Sequence, residues 1–420
     1  MAMRVREKLP VRVENEPIAV ALLTGGADRP YAFGLATALI DKGAKLDLVG
    51  SDELDSPEFQ SKPGVSFLNL RGDQRSDVPF WRKALRVLVY YARLIAYAAT
   101  ARPRIFHILW NNKFEHFDRT VLMVYYRLLG KRIVLTAHNV NAGRRDSNDS
   151  ALNRLTLRIQ YRLADHTFVH TEKMKLELMQ ELGVCDRLIT VIPFGINNAV
   201  PHTALTPGEA RQRLGIGKGE RTLLFFGHIA PYKGLECLIA AFRQILGSRG
   251  DYRLIIAGRP KNCEKYWKAV REDLSDLVQA GKVLVRADFI PDSETEIYFK
   301  AADVLVLPYK HIYQSGVLFL GHSFGVPVLA ADVGSLKDDV VEGETGFVFR
   351  PGDPDDIARA IESYFASSLY DRLEVCRPKI QAYTQERHSW DLVGQITMGV
   401  YAGVFGGSEK QAETFSHSLE

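Results

Sequence analysis

A short loop between two apolar segments carries residues with a recognisable chemistry: His228, Tyr232, Lys233 and Gly234. The apolar run at 223–226 before the loop predicts a buried strand, and apolar residues at helical spacing follow it. The unpaired N–H groups of a helix N-terminus attract negative charge, and Lys233 adds a full positive charge. The loop therefore predicts an anion site, although a plain strand–helix turn with a solvated lysine has the same pattern.

Further buried strands follow this loop, and each is accompanied by glycine, proline or polar residues. Counting the strand at 223–226 as the first, the accompanying residues are Gly258-Arg259 after the second strand, Phe289-Ile290-Pro291 in the third, Gln314-Ser315-Gly316-Val317 after the fourth, and Asp332-Val333-Gly334 after the fifth. The first half of the chain opens in the same way, with an apolar strand at 18–23, a Gly25-Gly26 turn, a helix and a second strand. This repeated βαβ pattern predicts an α/β protein with doubly wound parallel sheets.

Two other strands of the first half lead to polar residues. The strand at 133–136 is followed by His138, and the strand at 105–110 by a loop with Glu115, His116 and Asp118. Because ligands of doubly wound sheets bind beyond the carboxyl ends of the strands, all four side chains are candidates to face a cleft. An imidazole there can donate a hydrogen bond to a ligand hydroxyl or interact with developing charge, although a histidine at a strand end is often structural.

The ordered series of these motifs resembles the GT-B glycosyltransferases, most closely glycosyltransferase family 4. The resemblance covers most of residues 16–400 and is strongest in 222–350. It implies two Rossmann-like domains that face a central cleft. We expect an acceptor-binding domain over 1–195, a nucleotide-sugar-binding domain over 196–385, and over 386–420 a helix that crosses back to the first domain, followed by a disordered tail.

The resemblance also implies roles for individual residues. Lys233 would contact the donor diphosphate, and His138 and Gln314 would face the transferred sugar. The remaining residues expected to bind the nucleotide-sugar are Gly25, Gly26, His228, Arg259, Phe289, Ile290, Pro291, Ser315, Gly316 and Val317. No HxH or DxD spacing appears near the predicted cleft, so we expect a metal-independent site with no cofactor beyond the donor substrate. Cationic side chains and helix N-termini would then stabilise the leaving diphosphate.

The sequence departs from the family pattern at three positions. His228 stands where many members carry arginine, and a neutral imidazole is a weaker partner for an anion. Ile312 and Leu320 occupy the positions of two family glutamates, of which the first contacts the donor sugar and the second the ribose. The family predicts retention of configuration at the sugar. Inversion, with Asp118 or Glu115 as the base, stays open.

Three functional classes follow from these observations. The first is a glycosyltransferase that moves a sugar from a UDP- or GDP-sugar to a lipid-linked or polysaccharide acceptor. The second is a nucleotide-sugar epimerase of GT-B fold, which would need several carboxylates near the sugar. The third is a non-catalytic sugar-nucleotide-binding subunit, which the missing glutamates favour. Donor hydrolysis with and without acceptors would separate the three.

Composition limits the partners and the compartment. A chain of 420 residues suits two domains. The net charge of +4 is too small to indicate nucleic-acid binding. Because the first residues are charged and lack an apolar core, we expect no signal peptide, and no apolar stretch is long enough to predict a membrane span. The four cysteines have no paired spacing, so we expect a cytoplasmic protein.

Residues 79–104 form a basic segment without aspartate or glutamate. Its apolar side chains at helical spacing are Leu85, Leu88, Val89, Ala92, Ile95 and Ala96, its aromatic ones Trp81, Tyr90, Tyr91 and Tyr97, and its basic ones Arg82, Lys83, Arg86, Arg93, Arg102 and Arg104. Basic and aromatic residues on one amphipathic helix are typical of a surface that lies on an anionic membrane. We expect such peripheral binding, with a packed helix and a solvated basic face as the alternative.

Overall fold

The computed structural model describes residues 17–416 except 26–28, 58, 60–61, 75–77, 146–148, 198–199, 249 and 262. Within them, two parallel sheets of seven and six strands carry helices on both faces. The predicted doubly wound α/β architecture is therefore confirmed. No helix among the described residues combines the length and apolar character needed to cross a membrane.

The first sheet has the strand order β3-β2-β1-β4-β5-β6-β7. Its strands are β1 (Ala19–Leu23), β2 (Lys45–Gly50), β3 (Val65–Asn69), β4 (Ile105–Ile108), β5 (Arg132–Ala137), β6 (His166–Val169) and β7 (Ile189–Val191). The longer helices of this half are α1 (Arg29–Asp41), α2 (Phe80–Thr100), α3 (Met123–Leu128), α4 (Ala151–Leu163) and α5 (Glu172–Leu182); a short helix (Glu115–Phe117) and a π-helical turn (Asp118–Leu122) lead into α3, and a further short helix is Ala142–Arg145. β4 and β5 are almost wholly buried because helices cover both faces of the sheet.

The second sheet has the order β10-β9-β8-β11-β12-β13. Its strands are β8 (Arg221–Phe226), β9 (Tyr252–Ala257), β10 (Val283–Arg286), β11 (Val304–Leu307), β12 (Val328–Ala331) and β13 (Gly346–Phe349). The helices are α6 (Pro207–Arg213), α7 (Leu235–Ser248), α8 (Glu264–Asp273), α9 (Ser275–Gln279), α10 (Asp292–Ala301), α11 (Gly316–Ser323), α12 (Pro354–Phe365), α13 (Ser368–Asp371) and α14 (Leu373–His388). The third predicted strand was misplaced, because Phe289-Ile290-Pro291 lies in the loop after β10.

The last helix, α15 (Trp390–Ser416), packs on α1 of the first sheet. The Trp390 ring lies so close to Gly34 of α1 that a Cβ atom there would come within 2.0 Å of it. The Trp390 indole donates a hydrogen bond to the carbonyl of Ile196 at 2.6 Å, and the hydroxyl of Tyr401 bonds the imidazole of His107 at 2.6 Å. The chain thus returns from the second sheet to the first, and the helix continues beyond Tyr401.

Candidate functional site

A cavity of about 160 Å³ lies where β4 and β5 end. Its wall contains the rings of Trp110 and His138. Its other polar lining residues are Asn111, Glu115, Arg119, Thr136, Asn139, Gln160 and Tyr161. The carboxyl ends of neighbouring parallel strands form the usual ligand edge of a doubly wound sheet, so the cavity is placed to take a small polar ligand.

His138 is held on several sides. Its ring stacks on Trp110 with centroids 4.1 Å apart, and Tyr31 meets it edge-on at 4.6 Å. His138 Nδ1 lies 3.0 Å from Nε2 of His170, whereas the other nitrogen, Nε2, is buried and has no hydrogen-bond partner among the described residues. Burial holds the pKa of His138 well below its ordinary value, with a smaller contribution from His170. The imidazole is therefore neutral and rigidly oriented.

A buried polar network forms the wall opposite the strand ends, and sequence reasoning missed it. Arg119 is only 6% exposed. Its guanidinium pairs with Glu115 and donates a hydrogen bond to Asn153 Oδ1 at 2.7 Å. The amides of Asn111 and Gln160 approach each other at 3.4 Å. These residues come from the loop after β4, from the helical segment at 115–122 and from α4, without a short motif. Only the folded arrangement brings them together.

The three polar residues predicted to face the cleft after β4 have different positions; they are Glu115, His116 and Asp118. Asp118 is buried and accepts hydrogen bonds from the Tyr91 hydroxyl, at 2.9 Å, and from the backbone N–H of Asn112. It therefore holds the loop and does not line the cavity. His116 bonds Thr156 at 3.2 Å, and only Glu115 of the three reaches the cavity wall.

The turn after β1 lies beside this cavity. Gly25 adopts the left-handed region with φ of 62°, and its carbonyl accepts a hydrogen bond from the Arg71 guanidinium. A Cβ atom at Gly25 would lie 2.4 Å from the Trp110 carbonyl oxygen, so no larger residue fits. Gly26, the other predicted residue of this turn, lies outside the described residues.

Lys233 forms the centre of the second candidate site, at the carboxyl end of β8. The side chain is buried, and its Nζ donates to the Tyr309 hydroxyl at 3.0 Å. A Cβ atom at Gly227 would meet Lys233 Nζ at 3.3 Å and Val317 at 3.4 Å, so both side chains face the same turn. The alternative of a solvated lysine in a plain turn is therefore wrong. The structure instead encloses its charge.

The N-terminus of α11 lies next to this cation. Ser315 precedes the helix, is buried, and has its hydroxyl 3.5 Å from that of Tyr309. Gly316 and Val317 begin the helix, where backbone N–H groups have no partners within it. A buried cation, a hydroxyl and a helix N-terminus thus converge on one point. This combination favours an anion such as a diphosphate.

His228 lies among three cations at the edge of this site. Burial lowers the pKa of His228 to about 4, and the charges of Lys261, Lys233 and Arg259 add to the shift. The guanidinium of Arg259 lies 5.8 Å from the Phe289 ring, which is itself exposed. Ile290 beside it is buried, and Pro291 precedes α10. The exposed ring provides a flat surface near the cationic group.

Gln314 and Asp339 form a pair that the sequence did not indicate. The Asp339 carboxyl receives a hydrogen bond from the Gln314 side chain, and burial raises its pKa to about 7. The Gln314 amide oxygen is buried and has no partner in the described part of the chain. Leu320 belongs to the hydrophobic core, and Ile312 packs against it. Asp339 is therefore a carboxyl close to the segment that lacks the two family glutamates.

The two candidate sites face each other across Phe194. This ring lies 6.2 Å from the His138 ring and 6.1 Å from the Phe319 ring of α11. The Tyr313 hydroxyl donates to Glu177 of α5 at 2.9 Å, which also joins the two halves. Among the described residues, no group of three His, Cys, Asp or Glu side chains could hold a metal ion.

The basic helix α2 exposes the apolar side chains that its spacing predicted. Trp81, Leu85 and Leu88 are 61%, 54% and 60% exposed. The tyrosines differ from the prediction: Tyr90 and Tyr91 are buried against the first sheet, because their hydroxyls bond Asn112 and Asp118. Exposed apolar residues of the neighbouring helical segment extend the surface; they are Val121, Val124 and Leu128.

Two family models match most of the chain. Residues 24–200 match the model described as Glycosyltransferase Family 4, and residues 208–380 match the model described as Glycosyl transferases group 1. A D-inositol 3-phosphate glycosyltransferase of Acidothermus cellulolyticus is 31% identical over 247 residues, which are 57% of this chain and 53% of that protein. An uncharacterised glycosyltransferase of Methanocaldococcus jannaschii is 25% identical over 88% of this chain and 93% of its own length. The alignment thus spans about half of the first relative and nearly all of the second.

Solved structures share the whole architecture. Sucrose-phosphate synthase from Thermosynechococcus elongatus superposes with a TM-score of 0.75 at 18% identity, over 93% of this chain and 100% of its own. Anabaena HepE in complex with UDP-glucose superposes with a TM-score of 0.70 at 17% identity, over 92% of this chain and 100% of the HepE chain. At these identities the likeness shows the fold.

Proposed function

Because the chain belongs to the GT-B glycosyltransferases of the family 4 and group 1 type, we propose that it transfers a sugar from a UDP- or GDP-sugar to a lipid-linked or polysaccharide acceptor. The observation that carries the proposal is the convergence of Lys233, Ser315 and the N-terminus of α11 opposite the His138 cavity. The first group would bind the donor diphosphate. The cavity would receive a hydroxylated substrate.

In this proposal the leaving diphosphate needs no metal ion. The charge of Lys233 lies in a water-poor site, where electrostatic stabilisation is stronger than in water. The N–H groups of α11 are oriented before the reaction begins, so no reorganisation is required. Arg259 and Phe289 at the rim would support the nucleotide, and the HepE complexes with UDP and UDP-glucose support a uridine donor.

The proposed stereochemical outcome is retention. Inversion would require a carboxylate base near the acceptor hydroxyl. Asp118 is buried and engaged by Tyr91 and Asn112, and Glu115 pairs with Arg119. Asp118 is therefore unavailable as the base, and Glu115, which reaches the cavity wall, is held as the ionised partner of Arg119.

We further propose that the face formed by α2 and residues 121–128 lies on an anionic membrane. Its exposed apolar side chains are accompanied by Arg82, Lys83, Arg86 and Arg93. A groove of about 520 Å³ beside α2 is lined by Trp81 and by four arginines, one of them Arg71. Apolar surface combined with positive charge suits the interface of a membrane with anionic lipids, and a lipid-linked acceptor would be reached there.

A donor screen tests the proposed transfer. A ligand at 100 times its dissociation constant stabilises a protein by about 2.7 kcal/mol, so the correct nucleotide-sugar should raise the melting temperature measurably. Product analysis with that donor then separates the alternatives. A transferred sugar supports the proposal, an isomerised nucleotide-sugar indicates an epimerase, and binding without any turnover indicates the non-catalytic subunit that Ile312 and Leu320 favour.

A further inference from the structure

Two histidines follow neighbouring strands of the first sheet in register. Ala137 of β5 pairs with Val169 of β6, so His138 and His170 are the next residues on adjacent strands. His170 is buried, and its Nε2 lies 3.0 Å from Nδ1 of His138. The other nitrogen of His170, Nδ1, lies 3.3 Å from the backbone carbonyl oxygen of Ile192. Three polar groups therefore form a chain that begins at a carbonyl.

The carbonyl determines where the proton of each ring lies. A carbonyl oxygen only accepts hydrogen bonds, so Nδ1 of His170 carries the proton of that ring. Burial lowers the pKa of His170 to about 4 and that of His138 well below its ordinary value, so each neutral ring has one proton. His170 Nε2 is then an acceptor, and His138 Nδ1 must donate to it. The remaining nitrogen of His138, Nε2, is left with a lone pair.

This lone pair has no partner within the described residues. His138 Nε2 is buried, and burying an acceptor without a hydrogen bond is unfavourable because the group loses its bond to water. The stacked Trp110 and the edge of Tyr31 prevent the ring from turning away. His138 lines the cavity at the ends of β4 and β5, and a substrate hydroxyl that enters this cavity and reaches Nε2 can donate the missing hydrogen bond.

We propose that His170 is a positioning residue: through the Ile192 carbonyl it fixes Nε2 of His138 as a hydrogen-bond acceptor toward a hydroxyl of the saccharide substrate. The inference rests on the proposed function for its ligand. This arrangement excludes donation by His138 to the sugar or to developing negative charge, because the only proton of the His138 ring lies on Nδ1 and is donated to His170. The hydroxyl belongs either to the donor sugar or to the acceptor.

Nitrogen-15 NMR of histidine-labelled protein tests the proton positions without any need for activity. The signals of His138 are assigned by comparison with His138→Gln. In the wild type they should show a proton on Nδ1 and none on Nε2. His170→Phe should give a mixture of tautomers, whereas His170→Gln, which keeps an acceptor oxygen, should restore the wild-type form. His166→Phe is the matched control, because His166 bonds Thr190 on the same sheet and not His138. Protonation of His138 at Nε2 in the wild type would overturn the proposal.

Ligand additions and kinetics then identify the hydroxyl. UDP alone should leave the His138 Nε2 signal unchanged, and a shift with a nucleotide-sugar or with an acceptor saccharide identifies the source. His170→Phe should lower kcat/KM by about tenfold or more, whereas the Kd for UDP should not change. The KM should rise for the substrate whose addition shifts the His138 Nε2 signal. A lost tautomer preference with unchanged kinetics would overturn the role of the hydroxyl. Absence of transfer with any saccharide, with the tautomers as predicted, would instead overturn the proposed function.

Discussion

At the scale of single residues, the enclosed charge of Lys233 is the feature with the clearest energetic consequence. A buried ammonium group is costly unless it is paired and hydrogen-bonded. Its Nζ contacts one neutral hydroxyl, that of Tyr309, beside the N-terminus of α11. A bound diphosphate would supply the missing negative charge.

We expect Lys233→Met to lower turnover by at least about tenfold, because one charge contact to a developing diphosphate is lost. Lys233→Ala should lower it equally but also destabilise the fold, since the lysine is buried. Lys265→Met, an exposed lysine of α8, is the control. Steady-state kinetics and thermal unfolding separate the two effects, and activity of Lys233→Met within a factor of two of the wild type would remove the diphosphate role.

The raised pKa of Asp339 predicts how the free energy of unfolding depends on pH. Its pKa is raised from 3.8 to about 7, mainly by burial, so the folded state binds more protons than the unfolded state between these values. The stabilisation from this group is present below about pH 4 and is lost as the pH rises through about 7. Asp339→Asn removes the titration. The difference in unfolding free energy, wild type minus variant, should therefore fall from pH 4.5 to pH 8 in urea titrations; a constant difference would contradict the raised pKa.

At the scale of elements, the strands were predictable and the cavity wall was not. β8 is an apolar run buried on both faces, which a sequence pattern reveals directly. Arg119 and Asn153 meet only because α4 packs against the helical turn at 118–122. Asp339 was missed for the same reason, since its partner Gln314 is distant in sequence. Local patterns indicate elements, whereas polar networks depend on how the elements are packed.

Helix α2 was predicted with the wrong role for two of its tyrosines. Tyr90 and Tyr91 are amphipathic residues that suit either a membrane interface or a core with hydrogen-bond partners. Asn112 in the loop after β4 and Asp118 in the next helical turn are their partners, so these tyrosines pack inward. Trp81 and Leu88 remain on the outside with the basic residues.

We expect the protein to sediment with anionic vesicles at low salt and to be released at high salt. Each basic residue near such a surface contributes about 1 kcal/mol, and salt screens the attraction. Changing Arg82, Lys83, Arg86 and Arg93 to glutamine should abolish sedimentation with unchanged nucleotide binding. Changing Lys265, Lys268, Arg271 and Arg286, all exposed on the other half, removes the same charge and is the control. Equal sedimentation of the two variants would show that α2 is not the contact.

At the scale of the whole molecule, Trp390 links the end of the second half to the first. Its ring is buried against Gly34 and Gly195, and its indole bonds Ile196. Trp390→Ala should lower the unfolding free energy by about 3–5 kcal/mol, the usual effect of deleting a large buried side chain. Val375→Ala in α14, which is exposed, should change it little. Urea unfolding measures both, and equal small effects would show that α15 is not needed for stability.

The central claim, transfer from a nucleotide-sugar through the site at Lys233 and α11, is tested most directly by nucleoside diphosphate release. The wild type is incubated with a panel of UDP- and GDP-sugars, with and without lipid-linked and polysaccharide acceptors, and the released diphosphate is quantified. The account predicts release with one donor class, strongly increased by an acceptor and lost in Lys233→Met. Release that is equal in the wild type and in Lys233→Met, or no release with any donor and acceptor, would contradict it.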